Sequence, residues 1–417
     1  MLASRSSKQC VNPIREALVS ILPPPNFPKT VRSLALGDPA AFPEFATHQQ
    51  VMEAALTELK AGTGNGYTDN LGPLEAREAL ARYYSTPSFK LSAKDVFLDL
   101  GCTGAIMTTI SALADTGDNV LLPTPGFPLY LTGCQNRGIE DRRYSLLPQA
   151  NWEADMAQLE SLVDSRTKAL VVINPSNPCG SVFSRAHLAQ LLAFAARHRL
   201  PVIADEVYGH MTFGNPFVSM GEFETDVPVF VLGGLAKRWL VPGWRVGWGL
   251  IHDRANIAAE ARVGIFKVKN MTLHPATFLC NAIPRILETV PNGFYHQVIH
   301  KLKANADFLH SRISQFPALS MSRPQGAMYA LVSIDLRKFR DIRSSQEFAE
   351  KLAWEQGVVV LPGECFLSHG TFRVVLCNPK EVLADSCDRI GAFLQAHLEK
   401  EEVWSEEAVV ESGSSIL

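Results

Sequence analysis

The stretch Val229-Phe-Val-Leu-Gly-Gly-Leu-Ala-Lys237-Arg-Trp-Leu-Val-Pro-Gly-Trp-Arg245-Val-Gly-Trp248 decides how this chain is read. It opens on an apolar, partly β-branched run, the composition of a strand buried on both faces. The run breaks at Gly233-Gly234, and a cation, Lys237, follows at once. Upstream, Pro201-Val-Ile-Ala-Asp205-Glu-Val-Tyr208 has the same design: a short apolar strand ending in an acid, with a phenol one step beyond. A lysine, an acid, a phenol and an arginine, Arg245, thus stand at the ends of expected strands.

Outward from these two segments, short apolar runs alternate with helical patterns from about residue 50 to 250. Strands are expected at 96–99, 119–122, 169–173, 201–204, 229–232 and 246–251, with helices at 74–84, 105–114 and 185–198. Such alternation predicts an α/β fold whose large domain has a mostly parallel sheet flanked by helices. After Pro291-Asn292-Gly293 the pattern predicts a long helix at 296–316, strands near 327–334, 358–361 and 372–376, and a last helix near 383–398. That is a smaller α/β domain. A helix at 13–22 and the rigid, extended Pro23-Pro24-Pro25 are expected to carry the N-terminus across to it. The expected division is a large domain over 46–295 and a small one built from 1–45 and 296–417.

The 417 residues are too many for one ordinary hydrophobic core, and 47% hydrophobic with 19% charged residues is a globular composition. A net charge of −3 with no basic run argues against nucleic acid or an anionic membrane as partner. No apolar stretch approaches the length of a membrane span. The eight cysteines are scattered, with no Cys-x-x-Cys pair, so reduced thiols in a cytoplasmic protein are expected. The start, Met1-Leu-Ala-Ser-Arg-Ser-Ser-Lys8, has some transit-peptide character, which leaves the mitochondrion as the alternative compartment. No His-Glu-x-x-His occurs among the eleven histidines, and no metal site is expected. The acidic end from Glu399 to Leu417 is expected to be a solvated, disordered tail.

In open parallel sheets, ligands bind beyond the carboxyl ends of the strands. There the chain places Gly101-Cys-Thr103-Gly104-Ala, a turn of small residues opening a helix. It reads either as a phosphate cradle at a helix N-terminus or as a tight connection. No phosphate-loop Gly-Lys-Ser/Thr and no dinucleotide Gly-x-Gly-x-x-Gly accompanies it. Phe127 stacks on a planar heterocycle or packs its own loop. Asn177, in Asn174-Pro-Ser-Asn-Pro, aims its amide at a ligand oxygen or belongs to a Pro-rich turn. Asp205, directly after an apolar strand, is expected to be buried and to need a partner. A protonated pyridine nitrogen would serve, and the alternative is a helix cap. Lys237 must be unprotonated to attack an aldehyde, and the cations Arg238 and Arg245 nearby favour the neutral amine. Arg245 itself suits bidentate phosphate binding. Together these side chains are what pyridoxal 5'-phosphate chemistry requires.

Eight motifs carry a resemblance: Leu36-Gly-Asp-Pro39, Asn65-Gly-Tyr67, Pro125-Gly-Phe-Pro-Leu-Tyr130, Asn174-Pro-Ser-Asn-Pro-Cys-Gly-Ser181, Ala204-Asp-Glu-Val-Tyr208, the block from Gly233 to Trp248, Gly326-Ala-Met-Tyr329 and Phe372-Arg-Val-Val375. The chain resembles the pyridoxal-phosphate-dependent aminotransferases of fold type I, most specifically the tyrosine aminotransferases. The resemblance implies that Lys237 is the Schiff-base lysine and proton shuttle, and that Asp205 pairs with the pyridine nitrogen. It implies that Tyr208 and Asn177 bond the cofactor's phenolic oxygen, that Phe127 stacks on its ring, and that Thr103, Gly104 and Arg245 hold its phosphate. Tyr67 would reach the phosphate of a neighbouring subunit, hence a homodimer with shared active sites. Arg373 would anchor the substrate's α-carboxylate, helped by Asn177 and the backbone at Gly37. The reaction implied is ping-pong transfer of an amino group from tyrosine, or another aromatic or apolar amino acid, to a 2-oxo acid such as 2-oxoglutarate or pyruvate.

Two features depart from the aspartate aminotransferase pattern. Gly234 and Ala236 stand where that relative has serines supporting the phosphate, as they do in tyrosine aminotransferases. No arginine for a second substrate carboxylate is identified by motif, although Arg262 lies in roughly the right region. The competing readings are a broad-specificity alanine/aromatic aminotransferase, a lyase, decarboxylase or synthase of the same fold, and a non-enzymatic aminotransferase-like regulator. The last is opposed by the absence of a helix-turn-helix pattern and of a basic patch.

Overall fold

The computed structural model describes residues 3–214 and 216–399. Its strands, in chain order, are β1 (Arg32–Ser33), β2 (Val96–Leu100), β3 (Asn119–Thr124), β4 (Glu140–Leu147), β5 (Glu153–Ala154), β6 (Thr167–Ile173), β7 (Val202–Asp205), β8 (Val229–Gly234), β9 (Val246–His252), β10 (Leu319–Ser320), β11 (Tyr329–Ile334), β12 (Val358–Val359), β13 (Leu361–Pro362) and β14 (Thr371–Val375). Eight of them form one sheet in the order β2-β9-β8-β7-β6-β3-β4-β5. The run from β8 through β7, β6 and β3 to β4 is parallel. β9 lies antiparallel between β8 and β2, and β5 adds an antiparallel edge.

Sequence alternation explains why this sheet is a middle layer. Along β8, Val229 and Val231 enter one apolar cluster while Phe230 and Leu232 enter another. Successive side chains point to opposite faces, so a strand apolar at every position demands cover on both. Because β9 reverses direction, its first residue, Val246, pairs with Leu100 at the end of β2, and Gly247 pairs with Gly234 at the end of β8. Arg245 is thereby delivered to the same edge as the ends of the parallel strands.

A second, antiparallel sheet has the order β10-β11-β14-β13. Arg373 sits on its β14, opposite both Leu331 and Leu361. β1 pairs in parallel with β12, Arg32 with Val358, which ties the N-terminal segment to the C-terminal part of the chain. Ahead of β1 lies the helix Pro13–Ile21, whose N-cap Asn12 accepts from the Arg15 N–H and whose Pro13 stands at the start, where no donor is lost.

The expected strands of the large sheet are all present, each longer by one or two residues or displaced by one. β4 was not expected. Its Glu-Asp-Arg-Arg start hides the alternation that its buried Tyr144 and Leu146 complete. The helix expected at 105–114 begins already at Gly101, and that expected at 296–316 spans Asn292–Ile313. The strand expected at 358–361 is two short strands in different sheets. Helices Gln49–Ala61, Ala259–Thr272 and Ser345–Gln356 also went unread. The acidic tail lies outside the described residues beyond Glu399. No helix among the described residues is long and apolar enough to cross a membrane.

Candidate active site

The strand ends surround a cavity of about 510 Å³ whose wall includes Asp205, Tyr208, Lys237, Asn177, Arg245 and Arg373. Thr103 and Phe127 also line it, as does Gly37 from the segment ahead of the large sheet. Of the expected site residues, Gly104 and Tyr67 do not line it. Gly104 is in the first turn of the helix Gly101–Leu113 but turned from the cavity, because a Cβ there would strike the Asp99 carboxylate. Tyr67 is 93% exposed.

Asp205 closes β7 and is 3% exposed. Burial pushes its carboxyl up to about 6, against the opposing pull of the Val207 N–H, the Tyr130 hydroxyl and the Cys102 thiol. These three groups donate at 3.2, 3.2 and 3.7 Å. All are neutral, and no ion pair to Asp205 exists among the described residues. A desolvated carboxylate at the bottom of a cavity with neutral donors only is a seat for a ligand cation. The helix-cap alternative reduces to the single Val207 contact.

The first turn of the helix Gly101–Leu113 also lines the wall, where its backbone lies beside Arg245. Arg245 adopts the left-handed conformation, φ 56°, uncommon for a residue with a side chain. Its carbonyl accepts from the Gly101 N–H at 2.9 Å, and its guanidinium donates to the carbonyls of Pro242 and Leu100. A fixed cation at a helix N-terminus is an anion site. Gly234 leaves little room for the side chain that a serine would bring: a Cβ there would lie 2.8 Å from the carbonyl oxygen of Val246 on the paired strand β9, so the backbone would have to shift.

Lys237 follows β8 on a single helical turn, Leu235–Arg238. Its Nζ donates to the Gly37 carbonyl at 2.7 Å. The Tyr208 ring lies 5.9 Å away, and the Tyr208 hydroxyl meets that of Tyr329 at 2.7 Å. Burial, together with Tyr329, holds the Tyr208 phenol well above its ordinary range, so it stays a protonated donor. Arg373 is 2% exposed and donates to Asn177 Oδ1 at 2.9 Å and to the Ala35 carbonyl at 2.8 Å. Its guanidinium stacks 4.2 Å from the centre of the Tyr329 ring, while its Nε has no acceptor among the described residues. Asn177 Oδ1 being taken by Arg373, its amide N–H groups are the donors left for a ligand.

Sequence reading missed three groups. Tyr130 and Tyr329 were seen as motif members without a role, yet one bonds Asp205 and the other supports Tyr208 and Arg373. Arg15, on the N-terminal helix, lines the cavity beside Asn12. No local motif marks it, because it arrives from a distant segment. Arg262, by contrast, is bound at 2.8 Å to Asp95 and at 2.7 Å to Asp253, away from the cavity.

The family model for aminotransferase class I and II matches residues 29–390. Tyrosine aminotransferase of Mus musculus is 44% identical over 396 residues, which cover 94% of this chain and 87% of that protein. The crystal structure of tyrosine aminotransferase from Leishmania infantum superposes with a TM-score of 0.92 at 34% identity, covering 96% of this chain and 99% of that one. An alanine aminotransferase from Pyrococcus furiosus follows at a TM-score of 0.88 and 29% identity, covering 94% and 100%.

Proposed function

We infer the activity from one premise: this chain belongs to the class I and II aminotransferase family, and it is a pyridoxal-phosphate-dependent aminotransferase. The reading we add is that it takes the amino group of L-tyrosine, and of other aromatic or apolar amino acids, and passes it to a 2-oxo acid such as 2-oxoglutarate or pyruvate. The observation that carries it is that Lys237, Asp205 and Arg373, a guanidinium suited to a carboxylate, line one cavity. The choice of tyrosine is supported by the 44% identity to the mouse tyrosine aminotransferase and by the apolar Ile14, Leu36 and Leu129 on the cavity wall.

The residues fit the cofactor. Asp205, desolvated and without a cationic partner among the described residues, would pair with the pyridine nitrogen. The Tyr208 hydroxyl and the Asn177 amide would donate to the phenolic oxygen, and Phe127 would cover the ring. Thr103, the first-turn N–H groups and Arg245 would hold the phosphate. Gly104 contributes to this end through its backbone, not through the cavity wall. When bound, pyridoxal phosphate supplies an aldehyde that condenses with amines and a cationic ring that absorbs the electron pair left at the amino acid's α-carbon.

The chain's own part is positioning and proton transfer. Arg373 and Asn177 hold the substrate carboxylate and so fix which bond at the α-carbon faces Lys237. The Lys237 amine takes the α-proton and keeps it at Nζ until it is returned. Gly37, whose carbonyl receives Nζ at 2.7 Å, limits the positions the amine can take between these events. Release of the 2-oxo product and entry of a second 2-oxo acid reverse the path, giving ping-pong kinetics. Arg15 is the guanidinium available to a second carboxylate on a dicarboxylic acceptor.

A homodimer with shared sites is supported by the exposed Tyr67 and by Met52, Leu56 and Leu59, which stand exposed on one helix, Gln49–Ala61. A cytoplasmic protein is supported by eight cysteines free of disulfides, seven of them buried. The test of the activity is initial-rate kinetics over a grid of donor and acceptor concentrations. Parallel reciprocal plots with kcat/KM highest for tyrosine carry the reading. Parallel plots with alanine preferred by tenfold or more, the activity in the name of the Pyrococcus furiosus relative, refute the aromatic specificity alone.

A further inference from the structure

We propose that the buried ion pair Asp99–Lys269 is a positioning device for the phosphate end of the cofactor site: it fixes the helix turn that cradles the anion and supplies the charge that keeps a carboxylate there from repelling it. The proposal rests on reading that helix end as the phosphate site.

Asp99 is 3% exposed and Lys269 0% exposed, and Nζ lies 3.0 Å from Oδ1. The two come from different layers, Asp99 near the end of β2 and Lys269 in the helix Ala259–Thr272. The carboxylate makes three contacts that together set the cradle. Oδ1 accepts from the Leu100 N–H at 2.8 Å, which holds the strand end. Oδ2 accepts from the Thr108 hydroxyl at 2.6 Å, two turns into the helix Gly101–Leu113. Between them the first turn rests on the carboxylate at Gly104, the position where only a missing side chain permits the approach. Leu100 then passes the constraint on, since its carbonyl accepts from Arg245, while Arg245 in turn accepts from the Gly101 N–H.

Neither ion is needed to fill the core, because a neutral pair of similar volume usually serves stability as well or better. What the pair adds is register between a strand end, a helix and Arg245. It carries a hazard, because an anion beneath a phosphate is magnified by the low interior dielectric. Lys269 removes that hazard. Burial lowers the Lys269 ammonium from its usual range, and the Asp99 carboxylate beside it opposes that shift.

The test is a spectroscopic titration of the cofactor-free protein with pyridoxal phosphate and, separately, with pyridoxal, which lacks the phosphate. Wild type is expected to bind the phosphate ester far more tightly. Lys269→Met is expected to lose at least about tenfold in affinity for the ester and little for pyridoxal, because breaking a buried pair exposes the partner charge. The double variant Asp99→Asn with Lys269→Met removes both charges, keeps an acceptor for the Leu100 N–H and lets the new amide N–H donate to the Thr108 hydroxyl, and it is expected within about threefold of wild type. Should Lys269→Met fail to fold, Thr108→Val removes one strut only and is expected to lower the ester-to-pyridoxal ratio by about threefold. Variants with a lower melting temperature but a wild-type ratio would overturn the proposal and leave the pair purely structural. A wild-type protein with no preference for the ester would instead overturn the phosphate-site reading, and the proposal with it.

Discussion

Lys237 Nζ is 2.7 Å from the carbonyl oxygen of Gly37, a residue 200 positions earlier in the chain. The Lys237 amine is therefore anchored from two directions, by its own turn after β8 and by the segment that precedes the large sheet. Among the described residues that line the cavity, no other carries a primary amine.

Lys237→Ala is expected to lower turnover by at least about 10³-fold, the combined loss of a nucleophile and a general base. The side chain is half-buried on a single turn, so the circular dichroism spectrum should be unchanged. Multiple turnover within tenfold of wild type would refute the role.

Asp205 gives a pH signature in the cofactor-free protein. Its carboxyl rises from 3.8 in its ordinary state to about 6 in the fold, mainly through burial. The folded state thus holds the proton more tightly than the unfolded one. The associated stability is fully present below about pH 3.8 and is lost as pH rises through about 6. The loss is about 3 kcal/mol at most, the free energy that corresponds to moving a carboxyl from 3.8 to about 6. Asp205→Asn should flatten that part of the stability profile between pH 4 and 6, which denaturant titration at stepped pH would show. The same variant should bind cofactor but turn over slowly, having lost the counter-charge of the ring nitrogen.

Arg373→Lys should reduce kcat/KM for the amino acid by about 100-fold, although the charge is kept. Lysine lacks the planar fork that reaches Asn177, the Ala35 carbonyl and a carboxylate together. The loss should lie mainly in KM, and an unchanged KM in steady-state assays would contradict the assignment.

Gly104→Ala should lower stability by about 1–2 kcal/mol. Alanine is worth about 1 kcal/mol over glycine inside a helix, but here its Cβ meets the Asp99 carboxylate. A thermal melt showing the ordinary stabilisation instead would mean that the first turn yields.

Much of this site was legible because its residues come in short blocks at strand ends. An apolar run followed by Asp205, or by Gly233-Gly234 and Lys237, needs no tertiary information to be recognised as a buried strand meeting a polar edge. Two kinds of feature were not legible. Tyr130, Tyr329 and Arg15 act through contacts between segments far apart in the chain, and hydrophobic periodicity says nothing about those. Asp99 read only as the end of a strand and Lys269 drew no notice, because the partner that pairs each of them in the interior is 170 positions away. β4 was missed for a local reason: its charged start masks an alternation that only the paired neighbour β3 reveals.

The central claim, that Lys237 is the residue joined to the cofactor, is tested most directly by trapping. The purified protein, saturated with pyridoxal phosphate, is reduced with borohydride, digested and mapped by mass spectrometry. The account predicts one phosphopyridoxyl-modified lysine, Lys237, and loss of the label when L-tyrosine is added before the reductant. A label on a different lysine, or none on a protein that nevertheless transaminates, would contradict it.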